Sequence, residues 1–172
     1  MRIFGPLYSW TIRWAAHPRA PWALGALSAA ESSFFPVPPD VLLAPMSLAR
    51  PCRALSFALI ATVGSVAGGL LGYALGALAL EWIGPWLQAS AYDQAYHTAV
   101  SWFRAWGFWI VLVAGFSPIP YKVFTLAAGA SGVALLPFVL ASLLGRGARF
   151  FLVAALVAWG GARVEPWLLR YV

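Results

Sequence analysis

Charge is scarce in this chain: only 9% of its 172 residues are Asp, Glu, Lys or Arg, where a soluble domain carries about a quarter. Together with 62% hydrophobic residues and a mean hydropathy of +0.81, this excludes a water-soluble domain and predicts an integral membrane protein. Acid is scarcer still, with five Asp and Glu against eleven Lys and Arg and a net charge of +6. The arginines form no basic run of the kind that tracks a phosphate backbone, so nucleic acid is not an expected partner. The lone Cys52 excludes an internal disulfide. His17 and His97 have no nearby Cys and few acids, so no metal and no cofactor are expected. No polar stretch is long enough for a separate soluble module, and residues 1–172 read as one membrane domain. Residues 1–30 lack a signal-peptide design, because Arg13, His17 and Arg19 precede any long apolar run.

What the chain does have is a duplicated break. Phe34-Phe35-Pro36-Val37-Pro38-Pro39-Asp40 is followed 82 positions later by Phe116-Ser117-Pro118-Ile119-Pro120-Tyr121-Lys122. Each Pro removes a backbone donor and clashes with the preceding turn. At bilayer depth such a break persists only where protein or trapped water satisfies the freed carbonyls. Matching breaks in two halves of a membrane protein are a pointer to a transport site near the bilayer midplane.

The segments around the breaks divide the chain. Residues 3–16 place Ile3, Leu7, Trp10 and Trp14 at helical spacing and predict an interfacial amphipathic helix within an N-terminal segment, 1–20. Residues 22–49 are apolar but cut by Pro36, Pro38 and Pro39 into two arms of about a dozen residues, shorter than the ~20 needed to cross. They predict a re-entrant helical hairpin. Ala54–Leu80 is an uncharged run long enough to span, with Gly64, Gly68, Gly72 and Gly76 on one face, and it completes repeat 1 (22–80). Residues 81–106 predict an interfacial connector, with a turn at Gly84-Pro85, a capping box from Ser90 to Asp93 and a belt of Trp and Tyr. In repeat 2 (107–161) a second hairpin covers Phe108–Gly132 and a second span Ala134–Gly160, followed by a tail, 162–172. A plain hydropathy window favours Val123–Gly145 instead, but Ser131-Gly132 and Pro137 interrupt it. The predicted fold is therefore all-α integral membrane: an inverted repeat of re-entrant hairpin plus transmembrane helix, with interfacial amphipathic helices.

Charge sets the expected orientation. With both termini cytoplasmic, Arg2, Arg13, Arg19, Arg50, Arg53, Arg163 and Arg170 fall inside, while Arg104, Glu81 and Asp93 fall outside. Five ionisable groups remain at apparent membrane depth: Glu31, Asp40, Lys122, Arg146 and Arg149. At roughly 2.5–3.5 kcal/mol each they would together cost on the order of 12 kcal/mol unpaired, which rivals the ~5–15 kcal/mol stability of a whole domain. They must be paired or hydrated, and three cations against two acids leave one positive charge for an anion from outside. Lys122, Arg146 and Arg149 are the candidate substrate-binding residues, since Arg in particular suits forked contact with phosphate. Glu31 and Asp40 are candidates for proton coupling or for counter-ions. The bland alternative is a closed ion-pair network that binds nothing.

The residues also resemble a known family, the DedA-type bacterial membrane proteins, related to the VTT-domain (SNARE-associated Golgi) proteins. The resemblance rests on Glu31, Pro36, Pro38 and Asp40, on Ser117-Pro118-Ile119-Pro120-Tyr121-Lys122, and on Gly145-Arg146-Gly147-Ala148-Arg149-Phe150, and is closest to the YqaA-type branch. It implies two facing re-entrant hairpins, acids in the first, bases in the second half, and translocation of a lipid carrier such as polyprenyl (undecaprenyl) phosphate or a phospholipid, coupled to protons. One departure stands out: where better-known members carry Arg before the second Phe-x-Pro and three residues past that Pro, this chain has Gly115 and Tyr121.

The expected function is a multi-pass inner-membrane transporter, with the bilayer and an anionic lipid phosphate headgroup as partners and homo-oligomerisation left open. The rivals are a membrane-shaping scaffold with structural charges and a small-solute or ion transporter. An enzyme is not expected, because no Cys or Ser sits beside a base and the two carboxylates have no metal cluster.

Overall fold

The computed structural model describes residues 17–33, 38–88, 93–117 and 121–171. Among them the chain forms six α-helices and no strand: α1 (Ala20–Ser33), α2 (Asp40–Ala49), α3 (Ala54–Gln88), α4 (Asp93–Phe116), α5 (Tyr121–Ala130) and α6 (Leu135–Tyr171), with a single 3-10 turn at Pro51–Arg53 before α3. The N-terminal helix expected over 3–16, the break prolines Pro36, Pro118 and Pro120, and Ser90 of the expected capping box lie outside the described residues.

Length separates α3 and α6 from the three shortest helices. The 35 residues of α3 and 37 of α6 extend about 52 and 55 Å at 1.5 Å per residue, more than the ~30 Å hydrocarbon core. Their apolar parts, Pro51–Ala79 and Leu135–Gly160, have mean hydropathies of 1.9 and 1.6 and are long enough to cross a membrane. The 14 residues of α1 and the 10 each of α2 and α5 are too short to do so alone. Along α3 the exposed residues Leu55, Leu59, Val63, Leu71, Leu75 and Leu78 form an apolar stripe, and Leu136, Leu140, Leu144, Leu152 and Leu156 extend another along α6. Exposed surface this apolar is that of a helix facing lipid, where leucine needs no protein cover.

The order α1, α2, α3 recurs as α4, α5, α6, and a shift of 82 carries Asp40, at the start of α2, onto Lys122 in the first turn of α5. The halves pack crosswise. Helices α1 and α5 lie on α3, α2 and α4 lie on α6, and α3 meets α6. Leu24 of α1, Leu43 and Met46 of α2, Phe57 of α3 and Phe150 of α6 share one core. Val111 of α4, Tyr121 of α5 and Phe138 of α6 share the other.

Three expectations need correction. The turn at Gly84-Pro85 does not form; α3 continues to Gln88. One proline so near the end removes a single helical hydrogen bond from a segment with many others. The later part of the connector, from Asp93, and the first arm of the second hairpin are one 24-residue helix, α4, because nothing between Asp93 and Phe116 is a strong stop. That arm is thus about twice the expected length. At the other end, α6 runs past Gly160 to Tyr171.

The break between α5 and α6 falls at Ser131-Gly132. Gly132 adopts φ +65°, the left-handed conformation glycine enters without penalty. The Val133 N–H then donates to the Ala128 carbonyl at 3.1 Å and the Gly132 N–H to Gly129 at 3.1 Å, a Schellman closure. The Tyr73 hydroxyl donates to the Val133 carbonyl at 2.6 Å and ties this turn to α3.

The glycine face of α3 is wholly used in packing. A Cβ at Gly64 or Gly68 would collide with the carbonyls of Gly25 or Ala29 on α1; at Gly72 or Gly76 it would strike Thr125 or Leu126 on α5. Serines of α1 reinforce the same contact: Ser28 Oγ donates to the Ala61 carbonyl at 2.6 Å and Ser33 Oγ to the Gly68 carbonyl at 3.0 Å. Gly68→Ala should therefore lower stability by about 1–3 kcal/mol through overpacking. Gly160→Ala, which meets nothing within 4 Å, should not lower it. Thermal unfolding of the two purified variants in detergent checks this contrast.

Candidate functional site

Two arginines on one face of α6 gather the short helices. Arg146 lies 11 residues into α6, about 16 Å from its start, and so near mid-span. Small neighbours, Gly145, Gly147 and Ala148, leave its approach clear. Its side chain is 2% exposed. A charge this buried persists only when nearly every donor is engaged.

The engagement is extensive. Arg146 Nη2 donates to Glu31 Oε2 in a short ion pair, Nε donates to Ser65 Oγ at 2.6 Å, and Nη2 lies 3.4 Å from Ser32 Oγ. Ser32 and Ser65 hydroxyls are 2.7 Å apart, and Ser32 Oγ donates to Glu31 Oε2 at 3.1 Å. One proton order satisfies all of these contacts: Ser65 donates to Ser32, and Ser32 to the carboxylate. The rings of Tyr121 and Phe150 also pack against the guanidinium, 4.9 and 4.8 Å from its central carbon. The Tyr121 hydroxyl in turn donates to Ser142, which donates to the Phe138 carbonyl at 2.7 Å.

Arg149, one turn on, stands in a more open place. Its Nη2 donates to Asp40 Oδ2 at 2.6 Å and its Nη1 to the Ser117 carbonyl at 2.8 Å. The side chains of Arg149 and Asp40 are 21% and 25% exposed. Asp40 Oδ1 is buried with no hydrogen-bond partner. Ser117 sits just past the end of α4 and Asp40 opens α2, so this one arginine joins both break regions.

Of the five charges read from the sequence at membrane depth, four are therefore brought together as two pairs, Glu31 with Arg146 and Asp40 with Arg149. The fifth, Lys122, is half-buried in the first turn of α5, and among the described residues its ammonium has no carboxylate partner. Pro38 precedes α2, where its carbonyl accepts from the Val41 N–H at 3.3 Å. Sequence reasoning missed Ser32, Ser65, Tyr121 and Phe150. A signal for Ser65 existed, because a hydroxyl one position from the glycine face of an uncharged span is a polar group needing a partner. The rings gave no such signal among so many aromatics.

Both departures from the resembled pattern abut the same arginine. A Cβ at Gly115 would lie 3.2 Å from the Arg146 backbone nitrogen, and the Tyr121 ring lies under its guanidinium. Where the chain lacks two cations in the second hairpin, α6 brings one to the same place.

Among the described residues no group of His, Cys, Asp and Glu could hold a metal ion. Burial predicts a ranking of variants. Arg146→Ala leaves Glu31 uncompensated and should cost about 3–5 kcal/mol. Arg149→Ala should cost clearly less, because water reaches that pair, and Lys122→Ala should cost little. Thermal unfolding of the three variants, compared with wild type, checks the order.

Comparison with known proteins identifies the family. The VTT domain family matches residues 37–158, a stretch that includes Asp40, Lys122, Arg146 and Arg149. An uncharacterized protein of Haemophilus influenzae is 48% identical over 172 residues, which cover 100% of this chain and 90% of the relative. A second uncharacterized protein, from Histophilus somni, is 49% identical over 163 residues, 95% of this chain and 85% of the relative. No solved structure matches. With more than two thirds of its length matched, and with helices long and apolar enough for a bilayer, the chain belongs to the VTT-domain family of membrane-associated proteins, the family of the DedA proteins.

Proposed function

We propose that the protein is a multi-pass transporter of the bacterial inner membrane that moves an anionic lipid phosphate, a polyprenyl phosphate or a phospholipid, across the bilayer. In this reading α1–α2 and the end of α4 with α5 enter the membrane as two facing re-entrant hairpins, and both termini are cytoplasmic. The observation that carries it is the surplus cation. Once Glu31 and Asp40 are paired, Lys122 remains at membrane depth without a carboxylate partner among the described residues. Lys122 stands in the first turn of α5, and the start of a helix is a setting that favours an anion.

The two arginines then have different tasks. Arg146, buried and multiply bonded, holds the helices. Arg149, with Lys122, meets the headgroup. Asp40 competes for Arg149, so a proton delivered to its carboxylate would release the guanidinium to phosphate, and its unpartnered Oδ1 is the atom that could take that proton. The lipid chain stays among the apolar helices while the head crosses.

A second reading has one observation in its favour. The burial of the Glu31–Arg146 pair is what a scaffold with a purely structural ion-pair network would also need. Reconstitution separates the two readings. In vesicles with and without a pH gradient, wild-type protein should move a labelled polyprenyl phosphate faster than protein-free vesicles do. Lys122→Ala and Arg149→Ala should each slow it about tenfold or more, as loss of a charge-assisted hydrogen bond worth ~1.5–3 kcal/mol requires. Asp40→Asn should remove the dependence on the gradient. Failure of the wild type to move lipid sinks the translocase. Equal rates in all variants sink the assigned site, and a loss of thermal stability without a selective transport defect favours the scaffold.

A further inference from the structure

A groove of about 520 Å³ runs between α4 and α6, lined by Leu112, Val113, Phe116, Ser117, Leu144, Gly145 and Ala148. Its floor is made by small residues. Gly145 lies against the Leu112 carbonyl with no room for a side chain. Its walls, Val113, Phe116 and Leu144, are more than half exposed, so the groove opens sideways to whatever surrounds the protein. No charged side chain lines it. One end differs: Ser117 lines that end, and the Ser117 carbonyl accepts the hydrogen bond of Arg149 at 2.8 Å.

An apolar trough ending at a single cationic group is complementary to an amphiphile with one anionic head. We infer that this groove holds the hydrocarbon chain of an anionic membrane lipid whose head meets Arg149. The inference rests on the translocase reading and deepens it, assigning a place to the tail. A volume of this size lies in the usual ~300–1,000 Å³ range of ligand pockets. The opening toward lipid lets a chain enter from the bilayer without passing through water. The cationic end sets the direction in which it lies, head toward the breaks.

The test uses the full-length protein in zwitterionic vesicles and two photoreactive probes, an alkyl phosphate with a diazirine midway along its chain and the matching alcohol. After irradiation, labelled peptides are mapped by mass spectrometry. The phosphate probe should label residues 112–117 and 144–148 several-fold more than the alcohol does. Ala148→Trp, which adds bulk at an exposed lining position, should reduce that labelling several-fold, whereas Leu71→Trp on the exposed stripe of α3 should not. Equal labelling by the alcohol, insensitivity to Ala148→Trp, or labels mapping elsewhere overturns the proposal. So does a disulfide between two copies carrying Ala148→Cys and Cys52→Ser, since a second protein would then fill the groove. Translocation measured on the same vesicles keeps the two claims apart. Selective labelling without transport retains the groove and removes the translocase, while transport without labelling here does the reverse.

Discussion

A guanidinium cannot be deprotonated to escape a poorly hydrated place, so an arginine at mid-span must bring its partners with it. Arg146 does so by drawing Glu31 and Ser32 from α1, Ser65 from α3 and the Tyr121 ring from α5 onto α6. Arg149 adds Asp40 from α2 and the end of α4 through Ser117. Every described helix, α4 through the residue that follows it, thus has an atom within reach of one of two cations three residues apart. In lipid, where apolar burial supplies little force between helices, these contacts specify which helix lies against which.

The small residues make that assembly feasible. Short polar side chains such as Ser32 and Ser65 reach a common point only if their backbones come close, and the glycines of α3 remove the side chains that would keep them apart. Packing and electrostatics are therefore linked rather than parallel: Gly64 and Gly68 seat α1, which holds Glu31 against Arg146. On the second half Gly145 seats α4 at Leu112 and so fixes where Ser117 meets Arg149. The crosswise packing of the repeats, α2 on α6 and α5 on α3, then carries both break regions toward the same pair of arginines.

The two arginines also differ in a way that matters for a transporter. Buried, multiply bonded pairs resist exchange, because any new partner must displace several contacts at once. Arg146, buried and bonded to Glu31 and Ser65, is of that kind. Arg149 and Asp40 keep part of their surface open and one carboxylate oxygen unpartnered, so that pair can trade partners. On the proposed function, a rigid pair beside an exchangeable one keeps the shape of the site while the headgroup comes and goes.

Much of this was legible in the residues. The 82-residue repeat, the two long apolar spans and the five charges set within apolar segments all follow from composition and proline placement, because a bilayer penalises charge and broken backbone so heavily that each exception is conspicuous. The bookkeeping of three cations against two acids likewise needs no coordinates. Helix lengths were less legible. Pro85 looked like a stop but lies within α3, and α4 begins well before the second hairpin's expected arm, since local signals are weak against a long helix's own hydrogen bonds. What only the tertiary structure decided was the pairing. Glu31 and Arg146 are 115 residues apart, Asp40 and Arg149 are 109 apart, and nothing in the spacing favours one acid for one arginine. The choice is made by which backbones the glycines allow to touch, and it leaves Lys122 as the charge without a carboxylate partner among the described residues.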